Sequence, residues 1–359
     1  MIMAQSVLST DFSQYQGPFD EWEELIRQAP VLDTGPQQGE TVEQLRRRTN
    51  EGRVNASNKE MNVSGLRERV SWEDYSVPTR DGASVPVRVY RARHSTTAAP
   101  IPVYIFFHGG GFLLGNIESE NANCARVVDM WEQPHALMIV HVSTRHTPEF
   151  CHPTPFHDAW DAFEWLSANL QSMGGDTAAT VIGGISAGAG LAASVALKEL
   201  EARKAESKHL IQPRGQVLCI PWLIHPGAHP FADKEWSAPQ QNKDAPILPL
   251  TRIQRFAELM KVEPETDALF NSGLATAEQV TGLAKTSILV AGWDVLRDDG
   301  LLYAERLKQA GVDTRVHIFP GLPHGFRRFA SLPSSRKWDC LIVESIAWAL
   351  GCSSGGDRK

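Results

Sequence analysis

The run TVIGGISAGAGLAAS, residues 180–194, passes from branched apolar residues through glycines around Ser186 into an alanine-rich stretch. A serine hydroxyl becomes a nucleophile when a neighbouring base takes its proton. The pattern predicts a strand ending at Ile185 and a helix starting directly behind Ser186. At so sharp a turn the side chains two before and two after the serine crowd each other, and Gly184 and Gly188 remove them. The helix also brings free N–H groups and a positive dipole end beside the serine. A glycine-containing loop with an incidental serine can carry the same G-x-S-x-G letters. What separates the two readings is position, because ligands of a parallel sheet bind at the carboxyl ends of its strands.

A carbonyl under attack develops charge on its oxygen, which needs N–H donors that no side chain obstructs. FFHGGGFLLG supplies three successive glycines directly after the apolar run 101–107. The expected donors are the N–H groups of Gly110 and Gly111 with that of Ala187. His108 is expected to order this loop and not to act as the base. Five histidines follow Ser186: His209, His225, His229, His317 and His324. The first lies in a charged stretch, the next two in a Pro-rich stretch, and His317 inside an alternating strand pattern. His324, in FPGLPHGF, follows the last strand on a Gly/Pro loop, which makes it the expected base. The acid that holds its tautomer is expected in GWDVLRDDG. Asp294 directly follows the strand ending at Trp293, and Asp298 is the alternative. The bland role of Asp298 and Asp299 is to cap a helix beginning near Gly300.

These residues need a scaffold that brings strand ends together. Strand-like runs at 101–107, 136–142, 179–185, 215–221, 287–293 and 315–320 alternate with helical patterns at 156–170, 187–204, 300–311 and 337–351. That alternation predicts an α/β fold with a mostly parallel central sheet and helices on both faces. From Ser71 onward two strands joined at Arg80-Asp81-Gly82 precede it. Residues 1–70 are polar and helix-like. Residues 223–282 are Pro-rich, carry Trp236 and break the rhythm, which reads as an insertion over one end of the sheet.

The chain has 359 residues, 42% of them hydrophobic and 21% charged, with a formal net charge of −7. A sizeable core can form, and the acidic balance without a basic stripe argues against nucleic acid. No run approaches the roughly 20 apolar residues of a membrane span, and the first residues lack the pattern of a secretory signal. The five cysteines, widely spaced and without a C-x-x-C pair, are expected to be reduced thiols in a cytoplasmic protein, with no zinc site. The Gly/Ser-rich tail after Leu350 is expected to fray.

Together, H-G-G-G-F, G-x-S-A-G, D-V-L-R-D-D and H-G-F resemble the hormone-sensitive-lipase-like family of α/β-hydrolases, over roughly residues 71–350. The resemblance implies an α/β-hydrolase fold with a helical cap, formed by an N-terminal segment (1–70) and an insertion (223–282) around two parts of the core (71–222 and 283–359). It implies Ser186, Asp294 and His324 as the triad and Gly110, Gly111 and Ala187 as the oxyanion hole. RHTPEFCHPTPFHDAW (145–160) is similar to a family segment that supports the H-G-G-G loop, which implies that role for Glu149 and Asp158 as well as His108. Ile185, Ala189-Gly190 and Thr144 depart from the family pattern, marking a divergent member. The expected function is a serine carboxylic-ester hydrolase for small to medium, even bulky apolar, esters, with no metal or organic cofactor. Lactonase, thioesterase, amidase or a cyclisation or condensation step is the alternative. A non-catalytic binding protein is disfavoured by the intact Ser/Asp/His set. The expected partner is a small-molecule acyl substrate, with a homodimer left open.

Overall fold

The computed structural model describes residues 11–28, 35–93, 99–133, 136–207 and 210–352. His209, much of the tail and parts of segment 1–70 lie outside them. Eight strands form one sheet: β1 Val70–Pro78, β2 Ser84–Ala92, β3 Ile101–Phe107, β4 Met138–Val142, β5 Gly175–Ile185, β6 Gly215–Cys219, β7 Lys285–Trp293 and β8 Thr314–Pro323. Their order is β1-β2-β4-β3-β5-β6-β7-β8. β2 pairs antiparallel with β1 and β4, and every other pairing is parallel. The runs read from the sequence correspond to β3–β8, β3 end for end and the others with one or both ends shifted by a few residues.

The longer helices are α1 Asp20–Gln28, α2 Val42–Val63, α3 Asn121–Asp129, α4 Thr154–Asn169, α5 Ala187–Lys204, α6 Leu250–Met260, α7 Arg297–Gln309 and α8 Pro333–Leu350. α2 starts at a capping box, in which Thr41 and Gln44 satisfy each other's backbone N–H groups. The period of two along β3 divides the core. Val103, Ile105 and Phe107 join one apolar cluster with Phe163 and Leu166 of α4, Ala192 of α5 and Leu301 of α7. Tyr104 and Phe106 join a second with Met61 of α2, Ala125 of α3 and Trp338 of α8. The sheet is therefore covered on both faces, as its unbroken apolar strands require.

Residues 223–282 contain α6 and only short helical turns among the described residues. Phe231, Ile253, Phe256 and Phe270 drive them onto the α4/α5 side of the core. Their attachment corrects one expectation. α7 begins at Arg297 and not near Gly300, so Asp298 and Asp299 lie in its first turn and do not cap it. Asp298 accepts from the Ala238 N–H (2.7 Å), and Asp299 from the N–H groups of Leu223 and Ile224 (2.9 Å each). The buried carboxylates tie the insertion to the core instead.

Candidate active site

Ser186 joins β5 to α5 with φ 56° and ψ −121°, a conformation that L side chains rarely adopt. Neighbouring backbone holds it there: its N–H donates to Cys219 O (2.9 Å), and its carbonyl accepts from the Trp222 N–H (3.1 Å). The flanking glycines are steric necessities. A Cβ on Gly184 would lie 2.4 Å from Gly188 O, and one on Gly188 would lie 2.2 Å from Phe107 O. Gly190, one of the departures from the family pattern, has a local reason too. Its Cβ would meet Trp222 O at 2.4 Å.

His324 follows β8 and reaches back across the sheet end. Its Nε2 lies 3.0 Å from Ser186 Oγ and its Nδ1 lies 2.7 Å from Asp294 Oδ2. The other Asp294 oxygen accepts from the Leu296 N–H at 3.0 Å, and Asn242 donates to the Asp294 carbonyl at 2.8 Å. Solvent reaches only 7%, 8% and 1% of Ser186, His324 and Asp294, so these bonds act in a low-dielectric setting. With Nδ1–H donating to the carboxylate, Nε2 is left to accept the serine proton. Asp298 has no place here. Its Oδ1 takes the guanidinium of Arg297 at 2.8 Å, and that arginine is fully buried. His225 and His229 use Nδ1 to accept from Gly227 and Phe231 in local turns. His317 stays on β8, half-buried.

The glycine loop lies against the serine: a Cβ on Gly109 would be 3.2 Å from Ser186 Cβ. Gly110 (φ 146°) and Gly111 (φ 63°) turn the chain where a Cβ would collide with Leu114 O and with the Phe256 ring of α6. Among the described residues the N–H groups of Gly110, Gly111 and Ala187 donate to no other residue. Three unused donors thus border Ser186. His108 bridges Gly109 O (3.1 Å) and Ser143 Oγ (3.2 Å), and burial holds its imidazole below its usual pKa, hence neutral. Asp158 accepts from the Arg145 N–H (2.9 Å) and Nη2 (2.6 Å). Glu149 takes the Arg46 guanidinium at 2.6 Å through both nitrogens.

Four contributors to this loop were not singled out in the sequence. Thr147 donates to Phe112 O through its N–H (2.8 Å) and its hydroxyl (3.1 Å). Ser143 is the partner of His108. Asn50 brackets Gly115, accepting at 2.7 Å and donating at 3.3 Å, and Arg53 donates to Gly109 O at 3.3 Å. Arg46, Asn50 and Arg53 are spaced i, i+4, i+7 and so share one face of α2. That spacing was the available signal.

A family model described as "alpha/beta hydrolase fold" matches residues 104–328, which include every residue of this site beyond α2. The chain belongs to the α/β-hydrolases. Its motifs and relatives put it in the hormone-sensitive-lipase-like carboxylesterase branch. The versiconal hemiacetal acetate esterase of Dothistroma septosporum is 27% identical over 80% of this chain and 84% of its own. Carboxylesterase NlhH of Mycobacterium tuberculosis is 32% identical over 74% of this chain and 76% of its own. Among solved structures, vibralactone cyclase superimposes with a TM-score of 0.83 at 27% identity, covering 94% of this chain and 96% of its own. This hydrolase is an enzyme, and the family and relatives support hydrolysis of carboxylic esters. Its described helices include none long and apolar enough to cross a membrane, and its described residues hold no cluster of three His, Cys, Asp or Glu that could bind a metal. Two surface clefts, one between α4 and α5 beside Arg80 and Trp160 and one beside Trp22 and Trp293, include neither Ser186 nor His324.

Proposed function

We propose that this hydrolase cleaves carboxylic esters of small to medium size through an acyl-enzyme on Ser186. The observation that carries the reading is the pair of contacts made by His324, 3.0 Å to Ser186 Oγ and 2.7 Å to Asp294. Ser186 Oγ attacks the carbonyl carbon as its proton passes to His324 Nε2. Asp294, receiving the Nδ1–H, stabilises the imidazolium and fixes the ring. Charge on the carbonyl oxygen is met by the N–H groups of Gly110, Gly111 and Ala187. Collapse breaks the ester C–O bond, and Nε2 returns the proton to the leaving alkoxide. Water, deprotonated by the same nitrogen, then releases the acid. His108, Glu149 and Asp158 keep the loop in place, and segments 1–70 and 223–282 form a cap that selects the ester.

The test is hydrolysis of p-nitrophenyl acetate and butyrate by the wild type and Ser186→Ala, with labelling by a fluorescent organophosphonate. Labelling at a residue other than 186, or turnover that survives the substitution, removes Ser186 from the role. A cyclase-type outcome is the second reading. It is favoured by the TM-score of 0.83 to vibralactone cyclase, against 0.73 for a bacterial heroin esterase. In that reading a nucleophile of the substrate itself replaces water, and product analysis distinguishes ring from free acid. A cytoplasmic location fits five cysteines outside any disulfide. A homodimer would be read by light scattering.

A further inference from the structure

Two peptide units of the glycine loop carry oxyanion donors, and each is held by its carbonyl. The Gly109–Gly110 peptide supplies the Gly110 N–H, and the Gly110–Gly111 peptide supplies the Gly111 N–H. A peptide is planar and, between glycines, trans, so its C=O and N–H point in opposite directions. Whatever grips the carbonyl therefore aims the N–H. Gly110 O is taken from inside the loop, by the N–H groups of Leu113 (3.2 Å) and Leu114 (2.9 Å). Gly109 O is taken from outside it. Arg53 Nη1 donates to that oxygen at 3.3 Å from α2, and His108 Nδ1 lies 3.1 Å from it. A cation thus stands behind the first peptide, where neutral backbone donors stand behind the second.

α2 is built to keep that grip. Residues 46, 50, 53, 57 and 60 recur at i, i+4, i+7, i+11 and i+14, one polar stripe along the helix. Asn50 holds Gly115 by both its N–H and its carbonyl, Ser57 Oγ accepts from the Ala122 N–H at 3.0 Å, and Glu60 pairs with Arg126 of α3. Arg53 therefore projects from a helix anchored on either side of it. The peptide that it holds touches the nucleophile turn: a Cβ on Gly109 would lie 2.8 Å from Ile185 O and 3.2 Å from Ser186 Cβ. The N–H at its other end, that of Gly110, donates to no other described residue. A guanidinium stays charged at every working pH. Hydrogen bonds in a chain polarise one another, so a cation on the carbonyl strengthens the N–H across the same peptide as a donor. A mere tether of α2 to the loop would need no charge.

We propose that Arg53 is a positioning residue for ester cleavage, which aims the Gly110 N–H at the substrate carbonyl oxygen and strengthens it as a donor through the Gly109–Gly110 peptide. The proposal rests on Ser186 being the nucleophile and Gly110 an oxyanion donor. Charge on that oxygen is greatest in the tetrahedral state, so Arg53 acts on kcat and leaves KM nearly alone.

The experiment uses Arg53→Met, which keeps the stem and removes donor and charge, Arg53→Gln, which keeps a neutral donor, and Arg53→Lys, which keeps donor and charge. With p-nitrophenyl butyrate, Arg53→Met and Arg53→Gln are expected to lose about 10-fold in kcat with KM within about 2-fold, less than the roughly 10²–10³ that a whole oxyanion donor contributes. Arg53→Lys should recover part of that loss. A second measurement reads the oxyanion itself. Ser186 Oγ adds to the carbonyl carbon of 1,1,1-trifluoro-2-octanone, its proton passing to His324 Nε2 and the C=O π pair to the oxygen. With that carbon isotopically labelled, its resonance reports whether the oxygen is charged. Arg53→Met and Arg53→Gln should raise the pKa of this oxygen by about one unit, the same tenfold read as acidity. A loss carried by KM, a lowered melting temperature with kcat intact, an Arg53→Lys no better than Arg53→Met, or an adduct pKa equal to that of wild type overturns the proposal. An adduct that forms as well on Ser186→Ala overturns the serine reading first, and this proposal with it.

Discussion

The turn that carries Ser186 and the insertion at 223–282 meet around the same serine but are held in different ways. At the turn, backbone packs on backbone. Cβ atoms on Gly184, Gly188 and Gly190 would come within 2.4 Å of carbonyl oxygens, so small residues there are the condition for the geometry. The insertion hangs instead from side chains far away in sequence. Asp298 and Asp299 of α7 receive its N–H groups, and its own Asn242 reaches the Asp294 carbonyl. The contrast teaches that the chemistry is specified locally and its cover is specified at a few anchors.

Removing the nucleophile is the strongest way to test that division. Ser186→Ala should lower ester turnover by on the order of a million-fold, with little change in thermal melting, because the turn depends on its glycines and not on the hydroxyl. Residual turnover above a few per cent, in protein free of wild type, would mean that the division is drawn in the wrong place. Next in size is a contrast between two aspartates four residues apart. Asp294→Asn favours the wrong imidazole tautomer and should cost roughly 10⁴-fold in kcat. Asp298→Asn leaves His324 alone but removes the counter-charge of the fully buried Arg297. It should cost stability on the order of 3 kcal/mol and less than about 10-fold in rate. Paired kinetics and melts decide; a rate loss at Asp298 equal to that at Asp294 breaks the contrast.

The same contrast explains what could be read from the sequence. β3 and α5 match their expected spans end for end, because the strand is continuously apolar and the glycine turn fixes where the helix starts. The contacts of Ser186, His324 and Asp294 join residues expected from their positions at strand ends. The Arg46, Asn50 and Arg53 face was missed, because a polar helix surface looks alike whether it meets solvent or a loop. Asp298 and Asp299 were misread as caps for a related reason. A carboxylate in a first helical turn has a local explanation, and only the fold reveals that its partners lie some 60 to 76 residues away.

A smaller effect is expected from pH, and it too belongs to the locally built region. His108, His141 and His146 stack edge to face behind the glycine loop, with ring centroids 5.3 and 5.2 Å apart. Burial, first among the causes, lowers all three pKa values, that of His146 to about 3. Folded, they stay neutral; unfolded, they take up protons near pH 6.5. Stability is therefore complete above about pH 6.5 and is lost as the pH falls toward the folded values, by at most ~1.4 kcal/mol per pH unit per histidine. Asp299 opposes this. Burial raises its pKa, so the folded state holds its proton more tightly and is favoured as the pH falls. Burial also lowers His152, His157, His225, His229 and His317, while Glu199 is raised alongside Asp299, so the histidines outweigh the acids and leave a net loss of melting temperature between pH 7 and 5. His141→Phe, which removes two buried ring nitrogens without partners, should flatten that slope. An unchanged slope would show that the histidines do not govern it.

The smallest effect concerns the cover itself, and it separates two aromatic residues of the insertion. Phe256 extends from α6 onto Gly111, its ring 2.2 Å from where a Cβ on that glycine would lie. A substrate carbonyl bound by the loop must sit beside that ring. Trp236 instead packs on Phe231, with centroids 4.9 Å apart, and its carbonyl accepts from Arg297 at 3.4 Å. The first contact faces the chemistry and the second pins the insertion to α7. Phe256→Leu should then change the ranking of acetate, butyrate and hexanoate esters by roughly 10-fold in kcat/KM ratios. Trp236→Ala should lower the melting temperature and leave the ranking alone, since removing a packed aromatic costs stability wherever it stands. A p-nitrophenyl ester series run beside thermal melts reads both. If Trp236→Ala reorders the esters while Phe256→Leu does not, selection lies farther from the glycine loop, on the Phe231–Trp236 side of the insertion, and the cover is less simply divided into anchor and wall.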